Sequence, residues 1–80
     1  MRQTTKIIPH SQRIVHARII AGMSKLDIAN AAGLTHSAIN RAERGMGVSP
    51  KTAVGICKAL GAEFEDLFTI QLPGENNTIS

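Results

Sequence analysis

Eighty residues, 42% of them hydrophobic but with no Trp or Tyr and only two Phe, make one small domain whose core must come from Ile, Leu, Val, Ala and Met. No apolar run reaches the roughly 18 residues of a membrane span, no signal-peptide pattern opens the chain, and Cys57 has no second cysteine for an internal disulfide, all of which fits a reducing cytoplasm. The net charge of +3 is unevenly placed: nine Lys and Arg lie between Arg2 and Lys58 against Asp27 and Glu43 alone, a formal +7, and Glu63, Glu65, Asp66 and Glu75 give the remainder −4.

Such asymmetry turns one surface toward a polyanion and leaves the other end acidic. Aliphatic residues and Ala recur at helical rather than alternating spacing, so the chain is expected to be all-α. Residues 1–10 form an N-terminal arm carrying Arg2 and Lys6, and Pro9 disfavours helix at Ile8. This arm can run along a DNA backbone or into a minor groove. Alternatively it is a terminus with Ile7 and Ile8 tucked against the fold, which is the preferred reading.

The domain proper is expected over residues 11–69. Ser11 is the expected N-cap of a first helix running to about Ala21, with Ile14, Ala17 and Arg18 on one stripe. Arg18 on an inward stripe needs a partner, because a lone buried charge is expensive. Gly22 ends this helix. Ser24 then caps a second helix, with Asp27 completing a capping box and Met23 placed as a hydrophobic staple.

Gly33 marks a tight turn, Thr35 caps a third helix and Gly45 ends it. Two short helices joined by a glycine-containing turn form a helix-turn-helix, whose second helix enters the DNA major groove. In that helix, over residues 35–44, Ala38, Ile39 and Ala42 make the inner stripe, and His36, Ser37, Asn40, Arg41 and Arg44 point largely outward. Glu43 lies away from that face and is expected to turn inward to Arg18. Further on, Ser49-Pro50 opens a fourth helix with Ala53, Ile56, Cys57 and Leu60 inward, Gly61 stops it, and Glu63 to Phe68 makes a short fifth. Residues 70–80 form a tail, flexible or dimer-forming, with Ile70 to Leu72 and the fifth helix as the expected dimer surface.

Taken in order, Arg18, Gly22-Met23-Ser24, Ile28-Ala29, Gly33-Leu34-Thr35, Ile39, Arg41, Glu43-Arg44-Gly45, Ala59-Leu60-Gly61 and Asp66-Leu67-Phe68 resemble the phage-repressor-like (Cro/CI, or XRE) helix-turn-helix family. This resemblance spans Ile14 to Phe68. It implies a compact five-helix domain, bacterial or phage-encoded, that binds double-stranded DNA as a homodimer on a pseudo-palindromic operator. It also implies that His36, Ser37 and Arg41 face base edges. Lys25, Thr35, Arg44 and the loop at Met46 would lie near phosphates, and Arg18 and Glu43 would match a structural ion pair. Lys25 replaces a common Gln, Met46 a frequent basic residue and Leu26 a usual polar one.

Arg41 has the fork for guanine O6 and N7, the commonest specific major-groove contact. Asn40 can read adenine, although its angle favours a backbone contact. His10, His16 and His36 lack metal-ligand spacing, so no metal or other cofactor is expected. Cys57 on an apolar stripe reads as core. No nucleophile, base and orienting group come together in the pattern, which argues against an enzyme. The expected function is a sequence-specific transcriptional regulator, a repressor in the first reading. The alternatives are the antitoxin of a toxin–antitoxin pair, with a protein partner, and a protein-interaction module docking through Leu26 and the tail.

Overall fold

The computed structural model describes residues 5–72. Five helices and two short strands follow in the order β1 (Lys6–Pro9), α1 (Ser11–Ile20), α2 (Lys25–Ala32), α3 (His36–Glu43), α4 (Pro50–Leu60), α5 (Phe64–Leu67) and β2 (Phe68–Gln71). The helices pack around Ile14, Ile28, Ile39, Ile56 and Phe68, each almost wholly buried, with Ala29, Ala42 and Ala53 where backbones come close. Gly55 on α4 faces Ala32, and a Cβ there would stand 3.4 Å from the Ala32 Cβ, so the small residue keeps α4 close to the end of α2.

Local chemistry accounts for most boundaries. Ser24 Oγ accepts from the Asp27 N–H at 3.0 Å, and the Asp27 carboxylate accepts from the Ser24 N–H at 2.9 Å. Thr35 and Ser49 cap α3 and α4 through the N–H groups of Ala38 and Thr52. Gly33 sits at φ +69°, where a side chain would be strained, and the Leu34 N–H reaches back to the Ala29 carbonyl at 2.8 Å. That closure sets the sharp turn between α2 and α3.

Hydrogen bonds from Ser24, first from its backbone and then from its side chain, hold the Asp27 carboxyl below the usual aspartate range. A depressed folded-state value contributes stability that is present above the ordinary value, about 3.9, and lost as pH falls through the folded value. Asp27→Ala is therefore expected to be less stable than the parent at neutral pH, with the gap closing below about pH 4. Denaturant unfolding across that range checks this; a gap constant into strong acid would contradict it.

Three expectations change. Ser11 is not the cap of α1 but its first residue; His10 holds the cap position without a side-chain cap bond. His10 is pinned there because its N–H donates to the Leu67 carbonyl at 2.8 Å and its Nε2 lies 2.7 Å from Thr69 Oγ1. Phe68 leaves the fifth helix at φ −140°, ψ 155° and begins β2 instead. The third is the boundary of arm and tail, although the preferred reading of the arm as tucked against the fold holds at Ile7. Lys6–Pro9 and Phe68–Gln71 pair as an antiparallel ladder, Ile7 opposite Ile70 and Pro9 opposite Phe68, so these residues belong to the packed unit. Ile7 is buried, and β1 also touches the loop after α3 through an Ile7–Val48 bridge. Residues 1–4 of the expected arm and 73–80 of the expected tail lie outside the described residues.

Candidate nucleic-acid interface

Helix α3 is fixed by its inner stripe. Ile39 and Ala42 are fully buried against α1 and α2, which leaves His36, Ser37, Arg41 and Arg44 exposed on the opposite side. No acid stands among those four. The helix carries one, Glu43, and its side chain is only 6% exposed.

Glu43 is held by Arg18 of α1. Arg18 Nε donates to Glu43 Oε2 at 2.6 Å and Nη2 to Oε1 at 3.3 Å, a two-pronged contact, while Nη1 donates to the Met23 carbonyl at 3.1 Å. One guanidinium thus ties α1, the turn before α2, and α3. It also neutralises the negative charge nearest the basic face, which matters because an uncompensated carboxylate there would repel a polyanion.

The remaining outward groups are partly engaged with one another. Lys25, the first residue of α2, donates from Nζ to Asn40 Oδ1 at 2.9 Å, and Asn40 Nδ2 lies 3.3 Å from His36 Nδ1. Lys25 keeps two further N–H donors. Thr35 Oγ1 accepts from the Ala38 N–H, leaving its hydroxyl proton free to donate outward. Arg41 Nη2 donates to the Gly47 carbonyl at 3.2 Å, so the guanidinium and the loop at residues 45–48 brace each other. Met46 is exposed, yet its N–H already reaches the Arg41 carbonyl at 3.0 Å, closing the end of α3. A phosphate beside Met46 would meet neither a side-chain donor nor that amide. Residue pattern alone missed the Lys25–Asn40 and Arg41–Gly47 contacts, because each joins groups from two different segments.

Away from this face, α5 carries the exposed Glu65 and Asp66, with Glu63 just before it. Burial first, then the charges of Asp66, Glu65 and Glu63, push the Cys57 thiol up, as suits a core residue rather than a nucleophile. Among the described residues no three of His, Cys, Asp and Glu gather as metal ligands, and no helix is long and apolar enough to cross a membrane.

A family model described as helix-turn-helix matches residues 16–67, from the middle of α1 to the end of α5. Solved structures share the fold, two of them as follows. The restriction-modification controller protein C.AhdI from Aeromonas hydrophila is 30% identical, over 70% of this chain and 86% of that one, with a TM-score of 0.65. The transcriptional regulator VanUg is 20% identical, over 89% of this chain and 92% of that one, also at 0.65, a likeness of fold. No curated protein sequence matches.

Proposed function

The chain belongs to the XRE-like helix-turn-helix family of DNA-binding transcriptional regulators, and from that premise we propose that it is a repressor that binds a pseudo-palindromic operator as a homodimer. The observation that carries this reading is the outer face of α3: four exposed polar or basic side chains, no free acid, and the one carboxylate folded inward. His36, Ser37 and Arg41 are the proposed base-edge contacts, with Asn40 beside them. Lys25, Thr35 and Arg44 are the proposed phosphate contacts, with the loop at Met46 lying beside the DNA backbone and supplying no donor from Met46 itself. Phosphates supply most of the affinity and the base edges most of the specificity. Bound across a promoter, such a dimer represses by occupancy alone.

One recognition helix reads one half-site, and two-fold symmetry places the second about one helical turn away. Ile70, 48% exposed on β2 beside α5, is the proposed centre of the dimer contact. An Ile70→Asp variant is expected to weaken self-association at least roughly tenfold, about 1.4 kcal/mol, because it sets a carboxylate into an interface already flanked by acids. Ile20→Asp, at a site 71% exposed on the far end of α1, should leave it unchanged. Sedimentation of both variants decides; the reverse order of effects would move the interface to α1.

A second reading, a regulator that also docks a protein such as a toxin, is favoured by Leu26, which is 57% exposed at the start of α2 where the family usually places a polar residue.

A further inference from the structure

We propose that Lys25, Asn40 and His36 form a directed hydrogen-bond chain that fixes His36 as a neutral Nε2–H donor, so that His36 selects base acceptors (purine N7, guanine O6 or thymine O4) over the cytosine amino group at its position in the groove. The selection half of this inference rests on the DNA-binding reading above; the direction of the chain does not.

The direction follows from valence. A lysine ammonium has three N–H donors and no acceptor, so the Asn40 atom 2.9 Å from Lys25 Nζ must be the amide oxygen. Turned by 180°, Asn40 would set its own NH2 group against the ammonium. With the oxygen committed to Lys25, the amide nitrogen is the atom that faces His36, 3.3 Å from Nδ1. That nitrogen only donates, so Nδ1 must keep its lone pair and the neutral ring carries its proton on Nε2. His36 and Asn40 are four residues apart on α3, one helical turn, which holds the two groups side by side.

Two consequences separate this chain from an ordinary polar surface. Asn40 is a positioning residue: reading adenine takes its oxygen to accept from N6 and its nitrogen to donate to N7, whereas Lys25 and His36 already orient one lone pair and one N–H of the amide along the chain. His36 becomes the reader, and its polarity is set from the first residue of α2, one helix away. A donor at Nε2 is satisfied by the N7 of either purine, by guanine O6 or by thymine O4, and meets only a second donor at cytosine N4. Replacing Lys25 therefore changes base preference as well as charge.

Long-range proton–nitrogen NMR correlations of the neutral imidazole in the DNA-free protein report which ring nitrogen carries the proton. The parent is expected to show Nδ1 unprotonated. Lys25→Arg, which restores a donor-only group, should preserve that state. Asn40→Asp should invert it, because a carboxylate accepts from Lys25 and draws the ring proton to Nδ1. A protonated Nδ1 in the parent, or no change in Asn40→Asp, overturns the proposal whatever the protein does with DNA.

Selection from random duplexes supplies the second arm. Parent and Lys25→Arg are expected to disfavour C at one position, and Lys25→Met and His36→Ala to lose roughly fivefold discrimination against C at that same position. Losses by Lys25→Met that are equal at all positions would make Lys25 a phosphate contact only and overturn the relay's role in selection. Failure of the parent to bind any duplex, with the expected tautomer present, overturns the operator reading and the selection half and leaves the chain's direction standing.

Discussion

Glu43→Ala is expected to destabilise the domain by about 3 kcal/mol, lowering the melting temperature by roughly 12–24 °C for a domain of this size. The carboxylate is 6% exposed and the arginine side chain 15%. Removing Glu43 strands a guanidinium whose remaining protein partner is the Met23 carbonyl. Removing Arg18 strands a carboxylate with almost no water, a loss of similar size. The lower end of the range for buried pairs applies because Arg18 still reaches solvent. Replacing both at once, Arg18→Met with Glu43→Leu, should recover most of the loss, since an apolar pair of like volume avoids desolvating two charges. Thermal unfolding of the two singles and the double closes the cycle. Singles within a few tenths of a kcal/mol of the parent would mean that the pair behaves as a solvent-exposed one.

Arg41→Ala is expected to cost about 1–3 kcal/mol on the operator beyond its cost on random DNA, roughly a 5- to 150-fold loss of specificity confined to one base pair. The guanidinium spends one of its five N–H donors on the Gly47 carbonyl. That bond restricts a long side chain before DNA arrives, so less rotamer entropy remains to be lost on binding. Arg41→Lys should fail to restore discrimination, because an ammonium cannot span O6 and N7 as a planar fork does. Equal losses on operator and random duplexes would reduce Arg41 to a loop brace and phosphate contact.

The helical frame was legible because its punctuation is local. Ser24 and Asp27, Thr35, and Ser49-Pro50 each act within four residues of themselves, and the structure places α2, α3 and α4 directly behind them. Arg18 and Glu43 could be matched because both fall on inward stripes and each is costly alone. The ladder between Lys6–Pro9 and Phe68–Gln71 was not legible: four-residue strands 63 residues apart, as Ile7 is from Ile70, leave no periodicity to read. Ser11 misled for the same reason. The N-cap position falls to His10, which makes no side-chain cap bond and is held there by donating its N–H to the Leu67 carbonyl, far away in sequence. In the candidate site, the outward residues of α3 follow from helical angle alone, but the contacts that orient them, Lys25 to Asn40 and Arg41 to Gly47, depend on how separate segments meet.

The proposed function stands on the outer face of α3 reading the sequence of double-stranded DNA. Binding to a random duplex library at two salt concentrations, with sequencing of the bound fraction, tests it most directly. The expected result is an inverted repeat with half-sites about one helical turn apart, retained when salt is raised although total affinity falls. Recovery of unselected sequences whose binding simply fades with salt would contradict it.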